Sequence, residues 1–188
     1  MVTARVVVAV TPALACAVLA GSALLLAPAA VIAADLFALT SSAFAAGGSI
    51  PRQYTCVGAD VPPPLAWQGA PAAARSLALV VDDPDAPDPA APTMTWVHWL
   101  LYNLAPAAGA LDGASLPPAV QAGTSDFKRT RYGGPCPPVG RHRYFFKLYA
   151  LDRELGDLGA PTKATLEAAM QGHIIGQAIL IGTYQKGD

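Results

Sequence analysis

Three short segments of this chain hold most of the side chains able to do chemistry. The first, Asp82-Asp83-Pro84-Asp85-Ala86-Pro87, sets three carboxylates within four positions. Like charges that close repel, so a stable fold has to give each one a partner. Its two prolines fix φ and remove two N–H donors, which stiffens the backbone. The second, Trp96-Val97-His98-Trp99, places an imidazole among indoles. On a regular strand, Trp96 and His98 face one side and Val97 and Trp99 the other. The third runs from Tyr132 to Tyr144 as YGGPCPPVGRHRY. Its Gly/Pro loop holds rigid backbone that a ligand can approach closely. Alternation then sends His142 and Tyr144 to one face and Arg141 and Arg143 to the other. An imidazole and a phenol on one side are suitable donors for a phosphate or carboxylate. Read singly, the segments have plainer meanings: a solvated turn, a core histidine, a loop with surface arginines.

The elements that position these segments are mostly strands. Ser76 to Asp82 (SLALVVD) is a continuous apolar run, as expected of a strand buried on both faces. Thr95 to Asn103, Tyr144 to Leu151 and Ala178 to Tyr184 are rich in aromatic and aliphatic residues and read as three more. Leu36 to Thr40 and Leu65 to Trp67 are shorter candidates. One helix is clear: Thr162 caps Lys163 to Gln171, Leu166 and Met170 share a face, and Gly172 ends it. Ala105 to Gly134 has many turn formers and little periodicity, and reads as a long loop. This order predicts a mainly-β domain of two packed sheets with one or two peripheral helices.

The N-terminus narrows the setting. Arg5 is the one charge before an apolar run, Val6 to Ala34, that ends in small residues ahead of Asp35. The run reads as a signal peptide over residues 1–34, followed by one domain over 35–188 and a periplasmic or secreted protein. The same run is long enough to be a retained membrane anchor. Cys16 falls within it, which leaves Cys56 and Cys136 as an even pair. No CxxC motif supports a structural zinc site. With 12 basic against 13 acidic residues, the chain has no long-range field to hold a polyanion, so nucleic acid is excluded as a partner.

Together the segments carry a resemblance. DDPDAP, then WVHW with LLYN, then YGGPCPPVGRHRYFFKLYALD are similar to the signature blocks of the phosphatidylethanolamine-binding family. YTC with PPPLAW, GTSDFKRTRYGGPC and LEAAMQGHIIGQAILIGTYQK resemble its bacterial Raf-kinase-inhibitor-like branch. The match covers about Phe37 to Lys186. It implies a two-sheet β-fold with a small pocket for phosphate, acetate or a phospholipid head group. It assigns the pocket to Asp83, His98, His142 and Tyr144, with Pro87 at the rim and Cys136 in the wall. It also places cis peptides at Ala86–Pro87 and Met94–Thr95. Both cysteines lie near the pocket end by this resemblance, and export puts them in an oxidising space, so a Cys56–Cys136 disulfide is expected; two free thiols are the alternative. Pro62, Ser125, Lys128 and Arg131 depart from the branch's usual residues, and the two cations stand either at the pocket mouth or in water.

The implied function is a non-catalytic binding protein with no cofactor and no metal. Two alternatives accompany it. One is an inhibitor of a protease or kinase acting through the pocket surface, with an unnamed protein partner. The other is a metal-dependent enzyme using His98, His142 and Asp83 as a two-histidine, one-carboxylate set. A membrane is a partner only if the N-terminal segment is retained.

Overall fold

The apolar run that begins at Ser76 becomes the centre of the larger sheet. The protein is described here by a computed structural model covering residues 36–113 and 115–187, so the proposed signal segment and Cys16 lie outside the described residues. Eight strands and one helix follow in order: β1 (Ala38–Thr40), β2 (Leu65–Gln68), β3 (Ser76–Ala86), β4 (Met94–Leu104), β5 (Ala110–Leu111), β6 (Gln121–Ala122), β7 (His142–Leu151), α1 (Lys163–Met170) and β8 (Ile174–Tyr184). The order β6-β4-β3-β7-β8 forms a five-stranded sheet, and β1-β2-β5 a three-stranded one. All pairings within both sheets are antiparallel. The mainly-β, two-sheet expectation therefore holds, and the long loop after Ala105 supplies the two shortest strands.

Each face of the large sheet has its own apolar layer. Leu77, Leu79 and Val81 of β3 meet Leu65, Trp67 and Leu111 of the small sheet. The alternate residues Ala78 and Val80 pack with Leu100, Tyr102, Leu166 and Met170 beneath α1. Burial on both sides explains why β3 is apolar without alternation. The helix begins where Thr162 accepts a hydrogen bond from the Thr165 N–H, as its capping position predicted.

Two features of β3 and β4 differ from the expected reading. The acidic segment is not a turn after the strand, because β3 continues through Ala86 and carries Asp82, Asp83 and Asp85 within it. The strand also holds a bulge partner. Val81 pairs with Trp99 and Asp82 with Val97, so His98 is an extra residue on β4. One extra residue reverses the alternation beyond it. Trp99 therefore joins the inter-sheet core while Val97 faces the α1 layer. The His98 ring also turns inward, lying 5.2 Å from the core residue Tyr144. Strict alternation had set His98 and Trp99 on opposite faces; the bulge puts them on the same one.

Candidate functional site

At one end of the large sheet a cavity of about 360 Å³ opens between β3, β4 and the loops before β7. Asp83, His98 and His142 reach it from three different strands. Pro87 and Met94 stand at its side, Trp96 and Phe127 give it an aromatic wall, and Cys136, Pro137 and Pro138 line the opposite loop. Up to 59 positions separate the members of one hydrogen bond here, so the sheet itself assembles the group.

The acidic segment finds its partners across strands. Asp82 accepts from Lys147 Nζ at 2.9 Å and Lys163 Nζ at 2.6 Å on the helix side. Asp85 accepts from the Arg143 N–H, Nε and NH2 at 2.9, 2.9 and 2.6 Å. That guanidinium holds the Asp85 carboxyl below its usual range. Asp83 is the one left for the cavity. Its Oδ2 accepts from His142 Nδ1 at 2.7 Å, and its Oδ1 accepts from the Asp85 N–H at 2.8 Å.

The two histidines are held differently. His142 is fully buried, and its Nε2 donates to the Val139 carbonyl at 3.0 Å. Each of its ring nitrogens thus faces an acceptor. His98 donates Nδ1–H to the Gly133 carbonyl at 2.6 Å, and the Gly133 N–H returns to the His98 carbonyl at 3.2 Å. Burial pushes the His98 imidazole toward its neutral form, against the raising influence of the Gly133 carbonyl and of Asp83, Asp82 and Asp126.

Tyr144 takes a place other than the one the resemblance implied. It shares the expected face with His142, but it does not line the cavity. Its ring stacks 6.4 Å from His142 and stands edge-on to His98, and its buried hydroxyl has no hydrogen-bond partner among the described residues. Burial holds that phenol protonated. The tyrosine packs behind both imidazoles and fixes their ring planes. Of the two expected cis bonds, Ala86–Pro87 is cis and Met94–Thr95 is not. Met94 already pairs with Ala86 as the first residue of β4, and nothing in that ladder requires the roughly 3 kcal/mol of a cis non-proline bond.

The cavity's loop wall is anchored from the N-terminal side. Cys56 and Cys136 form a disulfide with Cα atoms 5.4 Å apart, and the Cys56 N–H donates to the Pro135 carbonyl at 3.1 Å. Asp60 accepts from the Gly134 N–H at 2.6 Å and from Arg129 at 2.8 Å. A side chain on Gly134 would meet the Tyr54 carbonyl oxygen at 2.5 Å, so the crossing of the two loops needs a glycine there. Asp60 and Phe127 were missed by sequence reasoning; the aromatic within the polar run SDFKR was the available signal for Phe127. The two departing cations do not line the cavity. Arg131 stands beside Asp60 in a separate cleft, and Lys128 lines a third one. Ser125 is buried and donates to the Arg129 carbonyl at 2.9 Å. Among the described residues, no three His, Cys, Asp or Glu side chains are spaced to hold a metal ion.

The family model described as phosphatidylethanolamine-binding protein matches residues 40–185, which includes every residue of this cavity. The chain belongs to the phosphatidylethanolamine-binding protein family. A UPF0098 protein of Methanothermobacter thermautotrophicus is 46% identical over an alignment of 155 positions that covers 79% of this chain and 99% of that one. A UPF0098 protein of Chlamydia trachomatis is 45% identical over 148 residues, 79% of this chain and 98% of that one. Among solved structures, a phosphatidylethanolamine-binding protein homologue from Chlamydia trachomatis superposes with a TM-score of 0.75 at 42% identity, covering 80% of this chain and 98% of that chain. Escherichia coli YbcL, described as a member of the mammalian family, superposes at 0.70 with 29% identity, covering 79% and 98%. The family members share the two-sheet fold found here.

Proposed function

We propose that this protein is an exported, non-catalytic binding protein whose cavity takes a small anionic group, either free in solution or as part of a phospholipid head group. The observation that carries the reading is the meeting of Asp83, His98 and His142, from three strands, in one cavity with an aromatic wall. A small polar base under apolar sides suits a ligand held by one charged group. The family description names a phospholipid with such a group. The chemistry of the lining favours binding over turnover. Its cysteine is tied up in a disulfide, and no lining residue carries a hydroxyl beside a histidine. Export is supported by the apolar run of residues 6–34 and by a disulfide that an oxidising compartment would maintain.

Calorimetric titration with inorganic phosphate at pH 6 tests the reading. Saturable binding is expected, weakened at least about tenfold in His98→Ala, with the far-ultraviolet spectrum unchanged. Binding that is absent, or equal in the variant, would reject this cavity as the anion site.

A further inference from the structure

The bridge between Cys56 and Cys136 sits on the cavity wall, outside both apolar layers. Cys136 is exposed and lines the cavity, while Cys56 is half-buried on the adjoining loop. Exposure opens a disulfide to exchange, because an attacking thiolate has to reach one of its sulfurs. The contacts on the two sides of Cys136 differ. Before it, the two loops are joined several times over. The Gly134 N–H and Arg129 both donate to Asp60, the Tyr132 hydroxyl donates to the Tyr54 carbonyl, and the Cys56 N–H donates to the Pro135 carbonyl. After it, Pro137 and Pro138 have no N–H to give. Among the described residues no hydrogen bond holds 136–138. The next tie is the Val139 carbonyl, which accepts from His142 Nε2 at 3.0 Å.

The stretch of wall that depends on the bridge is the stretch that faces a ligand. The Cys136 N–H has no partner among the described residues, and the residue lines the cavity with Pro137 and Pro138. The bridge thus fixes the position of an uncommitted donor. The fold stands on other supports: the two apolar layers and the loop contacts before Cys136. Opening the bridge frees the wall and leaves the scaffold in place, which gives a local element two states.

We propose that Cys136 is a thiol-exchange site and that its bridge to Cys56 is a redox latch on the cavity. The reductant is a dithiol in the same compartment. One of its thiolates attacks Cys136 Sγ, where a new S–S bond forms. The Cys56–Cys136 bond breaks with its electron pair going to Cys56, which takes up a proton. The second thiol of the reductant then displaces Cys136 in the same way. The dithiol ends as a disulfide, having given two electrons, and the protein ends with two thiols. A monothiol caught after the first step leaves a mixed disulfide on Cys136. The exchange site stands on exposure and position; the effect on affinity rests on the anion-binding reading above. A wall in place about one-tenth of the time lowers apparent affinity about tenfold.

Dithiothreitol without denaturant should open the bridge in the folded protein. Labelling with N-ethylmaleimide and peptide mapping should then find both Cys56 and Cys136 alkylated, with a cooperative melt retained. Inorganic phosphate, titrated calorimetrically into the reduced, unlabelled protein, should bind at least about tenfold more weakly than to the oxidised protein. Reoxidation with diamide should restore the affinity. Reduced glutathione, quenched early with N-ethylmaleimide, should be mapped on Cys136 in excess over Cys56. A bridge that opens only in denaturant, or a reduction that unfolds the chain, makes it a structural staple and overturns the proposal. Glutathione mapped chiefly on Cys56 overturns the assigned exchange site. Phosphate affinity unchanged by reduction overturns the latch and leaves the anion-binding reading in place. An oxidised protein that binds no phosphate overturns that reading and the latch with it, while the glutathione map still decides the exchange site.

Discussion

Asp82 and Asp83 are neighbours on β3, both buried, and they serve opposite faces of one sheet. On the helix side, Asp82 meets two ammonium groups, Lys147 from β7 and Lys163 from the first turn of α1. Both ammonium groups are spent on this carboxylate, which ties a helix to a sheet and does not line the cavity. On the cavity side, Asp83 meets one imidazole and one backbone N–H. That histidine lines the cavity, whereas neither lysine does. Sequence adjacency and residue type are the same; the partner's chemistry and the neighbouring void separate scaffold from site.

The comparison breaks most visibly if Asp82 is removed. Asp82→Ala leaves two lysines facing each other with no anion between them, and should cost about 3 kcal/mol or more in urea unfolding. Phosphate affinity should stay within about twofold of wild type. A large loss of affinity would mean that the two faces are not independent. Asp83→Asn sharpens the contrast from the other side. Its amide can still meet His142 but no longer sets a carboxylate against the ring, so stability should fall by about 1–2 kcal/mol while phosphate binding weakens at least about tenfold. Equal effects on stability and no effect on binding would make Asp83 a second Asp82.

The smallest effect belongs to Asp85, whose partner Arg143 is 56% exposed at its side chain. The Asp85 carboxyl is held below its ordinary value of 3.8, so the pairing stabilises the fold above that value and is lost as the pH falls through the lower folded value. Solvent screening limits the term to about 1 kcal/mol or less. Arg143→Gln should therefore narrow the difference in Tm between about pH 5 and pH 3 slightly. An unchanged difference would remove Asp85 from the acid response.

Much of the scaffold was legible because it is written locally. Apolar runs bounded by Gly and Pro marked β3, β4, β7 and β8, and Thr162 with Leu166 and Met170 marked α1. Alternation correctly set His142 and Tyr144 on one face of β7. What escaped is written elsewhere in the chain. Asp85 belongs to a strand because Arg143 lies 58 positions away, and Asp82 because Lys163 lies 81 away. The bulge at His98 leaves no mark in composition, since an extra residue looks like any other until the partner strand is counted. The Tyr144 hydroxyl misses the cavity because both imidazoles pack in front of its ring. β5 and β6, at two residues each, are too short to show a period.

The disulfide has a consequence for a molecule that meets proteases. Cys56 and Cys136 are 80 positions apart, and between them residues 115–119 form an exposed stretch before β6. A single cut there divides the chain but not the molecule, because the covalent bridge still joins the segment before the cut to the cavity wall after it. Such a clipped protein would run as one species on a gel without reductant and as two fragments with it, and could keep its cavity intact in between.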